Sequence, residues 1–209
     1  MVGPVHAKRK ENGMRSRVVV WGVILMMLGT GALIGCAPAA DQSGTHVSIP
    51  AETVADYVHA VIEADRTFYT MQVVERLQKQ GKMVASEDWR VKHTLPLPAQ
   101  FLKESSELAA MTGTKVRYHL IGLWPINPSN GAATDFERKG LEAVRQHPEQ
   151  AYTGYLAEGD KRYFGAVYAD RAVTQACIGC HNAHPASPKK DFKRDDVMGA
   201  IVITIPLDR

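Results

Sequence analysis

Five consecutive residues, Cys177-Ile178-Gly179-Cys180-His181, constrain this chain more than any other feature. The C-x-x-C-H spacing is the covalent attachment motif of c-type haem. Two thiols must reach the vinyl positions on neighbouring pyrroles, and two intervening residues allow the single tight turn that brings both there. Gly179 eases that turn. The adjacent His181 then swings its imidazole under the iron as the proximal axial ligand. Cys177 and Cys180 are therefore the candidate thioether residues of one covalent haem c. The motif occurs once, which argues against a multihaem electron wire. Two other chemistries use the same residues. The cysteines could close a disulfide in an oxidising compartment, although the βαβ surroundings of a thioredoxin-like site are missing. Zinc could be held by Cys177, Cys180 and His184, although no fourth ligand is evident.

The N-terminus reads as an address. Residues 18–34 carry no charge and follow Lys8, Arg9, Lys10, Arg15 and Arg17. As a helix the run would be about 26 Å long, slightly short of a roughly 30 Å hydrocarbon core. It ends in Leu33-Ile34-Gly35-Cys36, which resembles a bacterial lipoprotein signal: small residues before an obligatory cysteine that is lipidated and becomes the mature N-terminus. The alternative is an uncleaved membrane anchor. Either exports the rest of the chain to the side where c-type haem is attached. Residues 1–35 are thus expected to be a signal peptide, Cys36 the lipidation site, 36–49 a tether and 50–209 the haem-binding domain. The usual retention aspartate after the cysteine is replaced by Ala37. In a Gram-negative cell this favours the periplasmic face of the outer membrane.

Charge excludes one class of partner. Removing residues 1–35 leaves 20 Lys and Arg against 21 Asp and Glu, a net charge of −1. No nucleic-acid partner is expected. Hydrophobic residues at 45% and charged residues at 22% fit a folded domain rather than a disordered chain. A length of 209 residues accommodates one domain and leaves no room for a kinase-sized output module.

Apolar spacing predicts a long helix over 51–80, entered at Pro50 and ended by Gly81, and a second over 99–111. Residues 82–97 read as irregular, and 115–124 as a strand. Thr134 and Glu137 form a capping box that opens a helix to about His147. Strands over 152–157 and 161–169 flank a hairpin at Gly159. A loop-rich stretch over 170–196 holds the cysteines, and a β-branched strand over 197–206 closes the chain. The order predicts an α+β fold with an antiparallel sheet of about four strands, a long N-terminal helix and flanking helices.

Several segments then carry a resemblance from about residue 51 to 207. They are ADR at 64–66, VVERL at 73–77, LPLPAQF at 95–101, VR at 116–117, NPSN at 127–130, FE at 136–137, CIGCH, and Met198-Gly199-Ala200. In this order they resemble the PAS-like c-type haem family of otherwise unknown function, best known from a cyanobacterial cytochrome with a sensor-like fold. The resemblance implies a PAS-like sheet with covalent haem c docked near the C-terminus, and a redox-sensing or electron-transfer role. In the cyanobacterial relative the second axial ligand is a cysteine. The three cysteines here are Cys36, Cys177 and Cys180, all already assigned, so that ligation does not carry over.

The sixth ligand must be found elsewhere or be absent. His93, just before LPLPAQF, is the first candidate distal ligand, against an exposed loop histidine. His59, His119, Met71, Met83 and Met198 follow, each with core or surface packing as its default. Water or an open position is the remaining option. Arg117, beside the NPSN loop, is a candidate haem-propionate partner or a surface ion pair. The expected function is a monohaem c-type lipoprotein for electron transfer or redox and ligand sensing at a membrane surface, with a separate redox or signalling protein as partner. It is expected to be a redox protein rather than an enzyme of substrate turnover. The alternatives are a non-haem envelope lipoprotein and, behind it, a peroxidase-like haem enzyme.

Overall fold

Pro50 precedes the first helix, α1 (Ala51–Phe68), where its missing N–H removes nothing from the hydrogen-bond ladder. The computed structural model describes residues 48–207. The expected signal peptide, Cys36 and most of the expected tether lie outside the described residues. Ala55, Ile62 and Arg66 face inward from α1. A π-helical turn, Tyr69–Glu75, continues it with Thr70 and Val74 buried, and α2 (Arg76–Lys79) completes one unbroken rod. Gly81, at φ +62°, ends the rod. The Gly81 N–H donates to the Gln78 carbonyl and the Lys82 N–H to that of Leu77, both at 3.0 Å. This paired closure places Gly81 in the left-handed position that a side chain disfavours.

The stretch expected to be irregular holds a short helix, α3 (Trp89–Lys92), closed by His93 at φ 53°. Next come α4 (Pro98–Ala110) and β1 (Arg117–Gly122). The capping box forms as expected. Thr134 accepts the Glu137 N–H, Glu137 accepts that of Thr134, and α5 (Asp135–Gln146) follows. Strands β2 (Tyr152–Glu158) and β3 (Lys161–Arg171) make a hairpin across Gly159, at φ +61°. The cysteines lie on a helix, α6 (Gln175–Ala183), and not in a loop. Strand β4 (Val197–Pro206) ends the fold.

The sheet runs in the order β1-β4-β3-β2, antiparallel throughout. The architecture is therefore the expected α+β one with four strands. Strand β4 is central and covered on both faces, which explains its β-branched run. On one face, Ile201, Ile203, Phe164 and Tyr168 pack against Ala55, Ile62 and Leu102 of α1 and α4. On the other, Val167, Ala200 and Val202 pack against Leu141 and Val144 of α5. Helix α5 lies very close to β3: a Cβ on Gly140 would stand 2.6 Å from a Val167 methyl. A third cluster, Ala172, Phe192 and Met198 with Trp124, Cys177 and Ile178 against it, holds α6 to the end of the sheet. Among the described residues, no helix is long and apolar enough to cross a membrane.

Candidate haem-binding site

The α1 side of the sheet changes character toward one end. Leu120, Ile201 and Tyr168 are cross-strand partners and form an apolar row. Two residues further along, the same face carries Gly122, Gly199 and Asp170, which are again partners. The glycine at 199 is required by backbone approach, since a Cβ there would lie 2.1 Å from the Ile121 carbonyl oxygen. The pairing register shifts between Asp170 and Arg171, a bulge that bends the strand where the chain leaves for α6. The bare row leaves the floor of a cavity of about 1120 Å³. That volume lies just above the range for small-molecule and cofactor sites, about 300–1,000 Å³.

Helix α6 supplies another wall. Its N-cap is Thr174, whose hydroxyl accepts the N–H groups of Ala176 and Cys177 at 3.2 and 3.4 Å. Cys177, Cys180 and His181 then line the cavity from one stretch of helix. Both cysteines are free thiols, Cys177 half-buried and Cys180 exposed. Asn182 fixes what stands behind them. Its amide donates to the Phe192 carbonyl at 3.0 Å and its oxygen accepts the Phe192 N–H at 2.9 Å. Phe192 in turn meets the His181 ring edge-on, with centroids 5.6 Å apart. Burial holds His181 below the usual imidazole range; Asp170 opposes this, and Arg66 and His184 add to it. A neutral ring is the form that ligates a metal. Its Nδ1 is buried without a hydrogen-bond partner.

The charged pair facing this helix comes from distant parts of the chain. Arg66 on α1 and Asp170 on β3 are both buried and both line the cavity. The guanidinium makes two parallel hydrogen bonds to the carboxylate, one of them 3.0 Å from Nη2 to Oδ2. Burial pushes the Asp170 carboxyl up and Arg66 pulls it back. The Arg66 Nε is buried and unpartnered.

The structure thus brings together Cys177, Cys180 and His181 with Met198 and His184, which also line the cavity. It does not bring His93 there. That residue is an exposed cap of α3 and does not line the cavity. Arg117 starts β1, five residues and about 17 Å of strand from Gly122. It pairs there with Glu158 at 3.1 Å and lies over Tyr163. His59 stacks on Tyr168 at 3.9 Å, and His119 meets Glu137 at 2.8 Å. Met71 and Met83 lie outside the cavity lining. Trp124 brings an aromatic ring to the cavity lining. Arg66 and Asp170 are the site residues that sequence reasoning missed. Arg66 stood in the ADR segment, and no local signal marked its partner.

These residues fit a c-type haem: two free thiols and a neutral imidazole open from adjacent turns onto a large cavity with a bare-backbone floor. Among the described residues, no group of three or more His, Cys, Asp or Glu is placed to hold a metal ion, so the zinc alternative lacks a ligand set. A family model described as Tll0287-like matches residues 45–206. No curated protein and no solved structure matches the chain.

Proposed function

Because the chain belongs to the Tll0287-like family, a cyanobacterial sensor-like c-type haem family, we propose that it is a monohaem c-type protein for electron transfer or redox and ligand sensing. The observation that carries this is the placement of Cys177, Cys180 and His181 on one cavity wall. In this reading Cys177 and Cys180 hold the porphyrin as thioethers and His181 holds the iron. When bound, the group supplies a one-electron couple at iron. The chain's own residues supply the setting. Phe192 and Asn182 fix the His181 ring. Trp124 and Met198 bring apolar surface to the cavity, and Arg66 with Asp170 brings a fixed dipole. A low local dielectric magnifies what that pair contributes to the potential of any charge held beside it.

The same reading makes the protein a redox carrier or sensor rather than a catalyst of substrate turnover. It works with a separate protein partner and is held to the periplasmic face of the envelope by a lipid on Cys36. Free thiols at Cys177 and Cys180 give the disulfide alternative no support.

The test is full-length protein produced with a c-type haem maturation system. Its colour should stay on the polypeptide through denaturing electrophoresis and acidic acetone, with one haem per chain. Properly exported protein that is colourless and iron-free would overturn the proposal.

A further inference from the structure

This inference rests on the cavity being the haem site, and concerns the axial position that His181 does not occupy. A six-coordinate haem needs a second strong donor, such as imidazole, thioether, thiolate or amine. Among the described residues lining the cavity, His184 and Met198 are the histidine and methionine left over. Both belong to the side of His181. His184 caps the same helix three residues on. Its Nδ1 accepts the Ala186 N–H at 3.2 Å and its Nε2 faces Glu87 at 3.6 Å. Met198 packs with Phe192, Cys177 and Ile178, and Phe192 is the ring that stands edge-on to His181. The two amines in the lining are also engaged, Lys79 with Glu75 at 2.8 Å and Lys92 with Asp88 at 3.1 Å.

What the cavity offers in place of a donor to iron is a donor of a hydrogen bond. Arg66 is 8% exposed. Its two terminal nitrogens are held by Asp170, so the guanidinium plane is fixed. Its Nε–H is left without an acceptor in the protein. Buried N–H groups are rarely left so, and each one calls for a reason, a bound acceptor from outside the protein being one. We propose that the iron keeps one axial position free of the side chains of the described residues. A small diatomic ligand of the carbon monoxide and nitric oxide class binds there, with the Arg66 Nε–H donating to it. Binding forms one dative bond from the ligand's lone pair to iron and displaces at most a water. No electron is transferred and no other bond breaks. This makes the protein a reporter of a dissolved gas, modulated by the redox state of its iron.

The experiment uses full-length, haem-loaded protein. Ferric protein should give a high-spin electron paramagnetic resonance signal. Dithionite-reduced protein should shift its Soret band on titration with carbon monoxide, saturating at one per haem. In Arg66→Lys, which keeps the positive charge toward Asp170 and removes the Nε–H, nitric oxide should dissociate roughly tenfold faster, the equivalent of one lost hydrogen bond. If that variant does not fold, Arg66→Gln with Asp170→Asn makes the same test with a neutral pair. A low-spin haem in both oxidation states that ignores carbon monoxide would overturn the open position while leaving the haem assignment standing. An unchanged nitric oxide dissociation rate would overturn the role of Arg66. Protein without covalent haem would overturn the underlying assignment as well.

Discussion

Replacing Arg66 with leucine isolates the energetics of the buried pair. The substitution removes one charge and leaves the other, Asp170, buried without its partner. Breaking a buried pair from one side costs about 3–5 kcal/mol, because the remaining charge has neither water nor a counter-ion. In a unit of roughly 160 residues each kcal/mol moves the thermal midpoint by about 2–4 °C, so the midpoint should fall by about 6–20 °C. The loss should also depend on pH. Without Arg66 the folded-state pKa of Asp170 rises further above its unfolded value of about 3.9. A raised carboxyl binds a proton more readily in the folded state. The penalty is therefore small near pH 4, grows as pH rises through the folded pKa, and is complete above it. The double variant Arg66→Leu, Asp170→Leu removes both charges and should recover most of the loss. The assay is urea unfolding of haem-loaded protein at pH 5 and pH 7, with thermal midpoints alongside. A single variant within about 1 kcal/mol of the parent, or a double variant as damaged as the single, would refute the reasoning.

Three further outcomes are expected. Cys177→Ser with Cys180→Ser should abolish haem staining after denaturing electrophoresis and lower the thermal midpoint; retained covalent haem would contradict the assignment. Gly140→Ala gains helix propensity but drives a methyl into Val167, a branched side chain with no exposure. A net loss of about 1–2 kcal/mol is expected by urea unfolding, with partial recovery in Gly140→Ala, Val167→Ala. Burial opposes ionisation of Glu137, yet the N–H groups of Ala133 and Thr134 and the His119 ring bring its pKa below the ordinary value. Its contribution is present above about pH 4.3 and lost as pH falls through the folded pKa, so Glu137→Gln should flatten urea midpoints across that acid window.

Locally encoded elements were legible in the sequence. Helix α1 announced itself through apolar spacing and Pro50, α5 through Thr134 and Glu137, and the hairpin through Gly159. Each depends on residues within one or two turns of one another. Helix α6 was not legible, because its residues show little apolar periodicity and two of them are cysteines that suggest a turn. Thr174, which accepts two N–H groups at its start, was the signal available. Cys177, Cys180 and His181, the proposed attachment residues, stand out in the sequence because the chemistry proposed for them needs contiguous positions. Arg66 and Asp170 lie 104 residues apart, and a buried ion pair looks in sequence like two solvated charges. His93 and Arg117 were chosen for their neighbours in the chain. The first turned into a left-handed cap, and the second sits at the far end of its strand.

The widened turn over Tyr69–Glu75 governs where the chain tolerates a change of length. A π turn holds one residue beyond α-helical winding, and the flanking helices stay in phase across it. Arg66 before it and Gln78 after it consequently both line the cavity. Losing one residue inside the turn returns it to ordinary winding and leaves that lining intact. Losing one between Arg66 and the turn, or between the turn and Gln78, swings the two flanks apart by about 100°, and the lining is split.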